Sequence, residues 1–278
     1  DADVWRTSSF ARADGSDEMP VWSEEFLVLL MDGTGLKLED YEAQADPVTR
    51  RSHEGTEVEI TYAPRGGPVP GAPLSILARY LLGDEPYIRK TLTLTMEEGG
   101  AVDRLEVERF KTQLPCDLGG IGQPIFISDS WFVGLEYPGS HAERGNSQVA
   151  LTHYPGLAGK RADKGDEWTI ESKVAVAGVG VKGDPLELAF SDYLDTIRRP
   201  SPKHILVNNW LSGVKPGVKE FLDYFDGFDS DLAPYGVEID SVQPDLVGFD
   251  PESVSLPSQS IFPQSYRPLS QELESRGS

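Results

Sequence analysis

Between Trp5 and about Lys182 the apolar residues come in short runs, most of them alternating with polar positions. Phe26–Met31 (FLVLLM) is followed by the turn pair Asp32-Gly33, and Glu57–Tyr62 (EVEITY) ends in a breaker-rich stretch from Pro64 to Pro73. Leu74–Leu81, Ile88–Met96 and Val102–Phe110 follow at short spacing, with Gly99-Gly100 as a turn. Ile125–Ile127, Val149–His153 and Trp168–Val179 add further runs. Alternation puts successive side chains on opposite faces, so Thr91–Thr95 (TLTLT) reads as a half-buried strand. Many short strands with almost no helical period predict a large antiparallel sandwich.

The pattern changes at Asp184. Asp184-Pro185-Leu186-Glu187 has the form of a capping box with Pro at the first helical position. Ala189, Phe190, Tyr193, Leu194 and Ile197 then recur at helical spacing. Arg198 and Arg199 suit the negative end of a helix dipole, and Pro200 and Pro202 stop it. A linker helix over Asp184–Arg199 is therefore predicted. Beyond it, His204–Trp210 (HILVNNW) predicts a buried strand. Val218, Phe221, Leu222, Phe225 and Leu232 predict an amphipathic helix closed by Gly236, and Val237–Val242 (VEIDSV) a second strand. After a long loop rich in Ser and Pro, Tyr266–Arg276 predicts a second helix capped by Gly277. Two successive β/α units imply a parallel sheet with right-handed crossovers. The expected divisions are 1–183, 184–202 and 203–278.

Composition narrows the partners. Across 278 residues, 46 acidic and 25 basic side chains give a formal net charge of −21. Such a chain repels phosphate backbones and anionic membrane surfaces, so neither nucleic acid nor a membrane is an expected partner. A neutral substrate such as a carbohydrate is compatible with it. No stretch reaches the roughly 18 apolar residues of a membrane span. No signal peptide precedes Asp1 and no initiator Met is present, so the chain is expected to start after a processed or trimmed N-terminus. The lone Cys116 can form no internal disulfide and permits either redox compartment. A secreted or periplasmic location is the expectation, with the cytoplasm as the alternative.

Several stretches resemble the α-galactosidase-like enzymes of glycoside hydrolase family 36. The most specific is Gly122–Pro138, GQPIFISDSWFVGLEYP, followed by His153–Gly156 (HYPG). Pro86–Leu94 (PYIRKTLTL) is similar to a core strand of that family's sandwich. Ile205–Trp210 (ILVNNW) and Tyr235–Asp245 (YGVEIDSVQPD) are similar to its first two barrel strands, and Phe262-Pro263 to the segment that follows. The resemblance implies a mainly β plus α/β chain: an N-terminal β-supersandwich (galactose-mutarotase-like), a linker helix, and the first two β/α units of an incomplete (β/α)8 TIM barrel. It implies a retaining hydrolase of α-linked, galactoside-like sugars. The catalytic carboxylates follow later barrel strands than this chain holds. The sequence departs from the pattern where Leu246 replaces the second Asp of an expected pair, Val247-Gly248 replaces Gly-Trp, and Asn209 replaces Ser.

The substrate-binding candidates are Trp210 and Asp245, which fall at or just beyond predicted strand ends, where barrels place their sites. Asp245 can accept hydrogen bonds from sugar hydroxyls, or close a turn before Gly248. Trp210 can face a sugar ring, or pack at the top of the barrel. Asp240 lies inside the second predicted strand and reads as structural. Of Asn208 and Asn209 at most one points inward. Glu136, Tyr137 and His141 read as residues that fasten the sandwich to the barrel, with a role in the wall of the active site as the alternative, and Trp131 and Phe132 as core of the sandwich.

No metal or cofactor is called for. Asp223, Asp226, Asp229 and Asp231 lack calcium-loop spacing and read as a solvated helix face. His53, His141, His153 and His204 form no metal motif. Gly119–Gly122 lacks the Gly-Lys-Ser/Thr of a phosphate loop and reads as a turn. Two rival readings remain: a non-catalytic carbohydrate-binding or scaffold module, or half of a barrel completed by a second chain. Two β/α units expose an open sheet edge, so the isolated chain is expected to be aggregation-prone unless a partner covers it.

Overall fold

The computed structural model describes residues 5–12, 14–97, 99–159, 167–200, 203–208, 217–243, 249–250 and 253–275. The chain divides into two compact units, Asp1–Arg198 and Arg199–Ser278. Among the described residues no helix is long and apolar enough to cross a membrane.

The described residues of the first unit build two antiparallel sheets, of ten and seven strands, and a small hairpin of Ser9–Ala11 with Glu18–Pro20. The centre of the larger sheet is Tyr87–Met96, flanked by Pro73–Leu82 on one side and by Trp168–Glu171 and Ala175–Val179 on the other. Val102–Lys111 is the centre of the smaller sheet, between Gln148–His153 and Leu27–Leu30. Period-two alternation decides which side chains meet between the sheets. Leu92, Leu94 and Met96 are fully buried, while Thr91, Thr93 and Thr95 between them are not. Opposite them, Val28, Leu105, Val107 and Phe110 complete one continuous apolar cluster. Each such side chain stabilises the fold by roughly 1.5–3 kcal/mol on burial.

The predicted run Trp168–Val179 is two strands, not one. Ser172 breaks it: its hydroxyl accepts the Leu92 N–H at 2.8 Å, and its own N–H donates to the Leu92 carbonyl at 2.8 Å. A further strand, Trp131–Leu135, pairs with Ile125–Ile127 and Ala175–Val179. The Gly119–Gly122 stretch is more than a turn. Cys116–Leu118 belongs to the ten-stranded sheet, Gly120–Ile121 to the seven-stranded one, and Ile125–Ile127 to the ten-stranded sheet again.

Helix α1, Leu186–Ile197, lies on the outer face of the larger sheet. Leu186 and Tyr193 are buried there with Phe132 and Val176. Ring pairs Phe132–Phe190 (5.4 Å) and Tyr87–Tyr193 (4.9 Å) meet edge to face, the arrangement the ring quadrupoles favour. The predicted capping box is not made. Pro185 is the N-cap and offers no side-chain acceptor, and the Leu188 N–H donates to the Pro185 carbonyl at 3.0 Å. The missing Pro N–H leaves one fewer donor to satisfy at this end.

In the second unit, Leu206–Asn208 pairs in parallel with Ser241–Gln243, with helix α2, Val218–Leu232, between them in sequence. The second strand starts later than predicted. The Asp240 carboxylate accepts the Ile205 N–H at 2.6 Å, and the Asp240 N–H donates to the Ile205 carbonyl at 2.9 Å, so regular pairing begins only at Ser241. Val207, Phe225 and Ile239 form one apolar cluster; Phe221, Phe262 and Leu269 of helix α3 (Arg267–Ser275) form another. The stretch read as a Ser- and Pro-rich loop contains a strand, Ser253–Pro257, paired with Phe249–Asp250. Its Ser-Val-Ser-Leu alternation carried that signal. The predicted cap Gly277 lies outside the described residues.

Candidate functional site

Trp210 and Asp245, the two predicted sugar contacts, both lie outside the described residues, as does Asn209. Asp240 has the structural role expected of it, tying the two parallel strands through Ile205. Asp223, Asp226, Asp229 and Asp231 are exposed along α2, and Asp223 pairs with Lys219 one turn earlier. Cys116 is half-buried, and burial pushes its thiol above the usual range although Arg144 pulls the other way. A thiol so protonated is a poor nucleophile.

The segment Gly122–Pro138 is held at both ends. Gly122 adopts φ +65°, and a Cβ there would stand 2.6 Å from the Pro138 carbonyl oxygen, so the two ends of the segment touch. A glycine is required on both counts. Between them run the strands Ile125–Ile127 and Trp131–Leu135. Trp131 and Phe132 are buried as expected, but on opposite faces: Trp131 between the sheets and Phe132 against α1.

Glu136 fastens the helix to the sheet. Its carboxylate accepts the Tyr193 hydroxyl hydrogen and pairs with the Arg89 guanidinium at 3.4 Å, while Arg89 lies 5.5 Å over the Tyr193 ring. Tyr137 is 39% exposed, with Lys173 5.2 Å over its ring and His153 edge-on at 6.0 Å. His153 is buried, and its Nδ1 has no hydrogen-bond partner among the described residues. Burial, reinforced by the nearby Lys173, lowers its pKa to about 4, so the imidazole is neutral at ordinary pH. His141 Nδ1 lies 3.2 Å from a Glu143 carboxylate oxygen, and His141 pairs across the sheet with Thr152.

A buried group of titratable side chains lies between the two sheets. Lys90 projects between the sheets, with Nζ 2.9 Å from a Glu25 carboxylate oxygen, 2.7 Å from the Glu25 carbonyl and 3.1 Å from a Glu108 carboxylate oxygen. All three residues are buried. The Tyr80 hydroxyl donates to the same Glu25 oxygen as Lys90, and the Thr7 N–H to the other. Burial opposes the Glu25 charge, yet Lys90 and these donors outweigh it and hold its pKa below the usual carboxylate value. Glu108 is held by longer contacts, from Lys90 and the Arg109 N–H at 3.1 Å each and from the Ser23 hydroxyl at 3.5 Å: burial pushes its pKa up to about 7, with the Glu25 charge adding to the push and Lys90 opposing it. Burial also works against the Lys90 charge, but the two carboxylates raise its pKa.

Two carboxyl groups with separated pKa values are the electronic requirement for acid/base chemistry. Here the geometry argues for structure instead. Glu25 borders a cavity of about 260 Å³ shared with Trp5, Arg6 and Tyr80, but both its oxygens are already engaged. A signal for the cluster was present in the sequence: Lys90 is in phase with Leu92 and Leu94, so a charged side chain occupies a core-facing position.

No protein-family model matches the chain, and no curated protein does. Among solved structures, the galactosidase domain of the α-galactosidase–sucrose kinase AgaSK is similar, at 10% sequence identity and a TM-score of 0.41. The alignment covers 88% of this chain and 40% of that one, so the chain spans well under half the length of that structure.

Proposed function

We propose that the chain is the N-terminal part of a retaining glycoside hydrolase acting on α-linked, galactoside-like sugars. In this reading the first unit is a β-supersandwich with its linker helix, and the second begins a (β/α)8 barrel. The observation that carries it is the order of elements. A two-sheet antiparallel sandwich is followed by a helix, and then by a parallel strand–helix–strand unit. Near the end of the motif segment, Glu136 clamps that helix to the sheet. A parallel β/α unit supports the barrel reading because such units close into sheets through further repeats.

The chemistry follows from the class. One carboxyl protonates the glycosidic oxygen while the other attacks the anomeric carbon, at a separation of about 5–5.5 Å. Both belong to later barrel strands. This chain would supply Trp210 as an apolar face and Asp245 as an acceptor for sugar hydroxyls.

The test is to express this chain beside the longer reading frame that contains it, and to assay both with 4-nitrophenyl α-D-galactoside. The longer protein is expected to release nitrophenol with retention of configuration, and this chain alone to release none. A longer frame inert towards α- and β-linked nitrophenyl glycosides would overturn the proposal.

A further inference from the structure

The segment Trp5–Thr7 reaches the buried Glu25–Lys90–Glu108 group without joining either sheet. Among the described residues two hydrogen bonds hold it. The Thr7 N–H donates to a Glu25 carboxylate oxygen, and the Tyr62 hydroxyl donates to the Trp5 carbonyl at 2.9 Å. Arg6 lies 5.2 Å over the ring of Trp22, but Trp22 is 62% exposed, and a cation–π contact at the surface is weak.

Apolar packing does little to fix the segment. Trp5 is itself exposed, and Trp5, Arg6 and Thr7 share a cavity of about 260 Å³ with Val58, Ile60 and Leu82 of the larger sheet. The residues that follow are anchored. The Ser8 carbonyl accepts the Val21 N–H at 2.9 Å, and Phe10 is buried with its ring 6.0 Å from that of Phe110. A stretch with few buried apolar contacts opens locally at a lower free energy than the whole domain. Ser8, where loose chain meets anchored chain, is the hinge.

The attachment point is itself constrained. Glu25 is a non-glycine residue in the left-handed region, at φ +58°. Its N–H donates to the Ser23 hydroxyl oxygen at 2.9 Å, and Lys90 donates to its carbonyl at 2.7 Å. Such a backbone persists only where its surroundings over-determine it, and it is concentrated at clamps and switches. One Glu25 carboxylate oxygen is taken by Lys90 and Tyr80, the other by Thr7. A hydrogen bond to an ionised acceptor is stronger than a neutral one, so the Thr7 bond is the main latch and the Tyr62 bond a weaker second.

We propose that Trp5–Thr7 is a strap, hinged at Ser8 and latched on the Glu25 carboxylate, that opens as a unit while both sheets stay folded. Opening uncovers the wall formed by Val58, Ile60 and Leu82 and frees the Glu25 oxygen that Thr7 engages. Strap and charge group are coupled in both directions: weakening the Glu25 charge loosens the strap, and an open strap withdraws one donor from Glu25. The device belongs to the first unit and stands apart from any glycosidase activity of a longer chain.

The test is native-state hydrogen exchange of the full chain, followed by NMR in increasing urea. After correction for intrinsic rates, the Thr7 amide is expected to exchange at least tenfold faster than the amides of the central strand Tyr87–Met96. Its rate should be nearly independent of urea at low concentration, while theirs rises with it. Tyr62→Phe keeps the buried ring, removes the second latch, and should accelerate Thr7 exchange about tenfold without giving it a urea dependence. Glu25→Gln should accelerate it further; Tyr62→Phe carries the test where Glu25→Gln does not fold. The proposal is overturned if Thr7 and the central strand share one rate and one urea dependence. It is equally overturned if the Thr7 amide of the parent chain is unprotected, or if Tyr62→Phe leaves its exchange unchanged.

Discussion

The Lys90 ammonium sits 2.9 Å from the Glu25 carboxylate inside the sandwich, with both side chains almost completely shielded from water. Glu108 at 3.1 Å makes the group one cation between two carboxyls. Desolvation of buried charges is so costly that a pair of this kind adds little net stability over apolar packing, but removing one member leaves the others uncompensated. Lys90→Met is therefore expected to lower the unfolding free energy by about 3–5 kcal/mol. Urea denaturation of the purified chain measures it. A loss below the error of the extrapolation would show that the cluster is not formed in solution.

Glu108 gives the cluster a pH dependence whose sign is fixed. Its pKa in the folded chain is raised to about 7 from an ordinary value of 4.5, so the folded state holds the proton more tightly than the unfolded one. The stability this contributes is complete below pH 4.5 and is lost as pH rises through about 7. Other carboxylates, Glu25 among them, titrate with the opposite sign, so the test is differential. Measured from pH 5 upward, the parent chain should lose stability relative to Glu108→Gln until the pH passes about 7, and then run parallel to it. Parallel curves across the whole range would refute the raised pKa.

His153 contributes in the other direction. Its pKa is lowered to about 4 from 6.5 by burial and by Lys173, so it folds as the neutral imidazole. The stability it brings is present above pH 6.5 and is lost as pH falls towards 4. By NMR its ring resonances should stay flat from pH 8 down to about 5, where an unperturbed histidine has largely titrated. A midpoint near 6.5 would mean the ring is open to water.

The clamp on α1 predicts a local effect. Tyr193→Phe keeps the ring packed on Tyr87 and Phe132 but removes the hydroxyl that reaches Glu136. A hydrogen bond to a charged group contributes about 1.5–3 kcal/mol. Hydrogen exchange of amides in Leu186–Ile197 should accelerate, while strands such as Tyr87–Met96 keep their protection. Acceleration spread evenly over the sheet would show that the helix is not a separately docked element.

Much of this arrangement was legible in the sequence because burial follows simple periods. The Leu92–Leu94–Met96 alternation and the 3.6-residue spacing of Phe221 and Phe225 each mark one buried face. What escaped reading depended on contacts distant in sequence. Lys90 was in phase with the core, but its partners Glu25 and Glu108 lie 65 and 18 residues away. The crossing between sheets at Gly119–Gly122 is set by which neighbours pair with Cys116–Leu118 and Gly120–Ile121, and no local pattern records that. Nor does the capping signature at Asp184 distinguish a made cap from an unmade one.

The motif segment itself supports the last prediction. Gly122 holds φ +65° with the Pro138 carbonyl where a Cβ would stand, so the first and last residues of Gly122–Pro138 are in contact through a glycine. The Gly122 N–H also donates to the Ser140 carbonyl at 2.9 Å, closing the loop. Gly122→Ala imposes the left-handed backbone on an L-residue, at about 1–2 kcal/mol, and forces the carbonyl to move. A total loss of about 2 kcal/mol or more is expected. It should be accompanied by faster hydrogen exchange at the residue-122 amide, which donates to the Ser140 carbonyl, at Ser140, whose N–H donates to the Tyr137 carbonyl at 3.0 Å, and at Glu136, whose N–H donates to the Val174 carbonyl at 2.8 Å. If the segment served only to touch a ligand, the variant would unfold at the parent's urea midpoint.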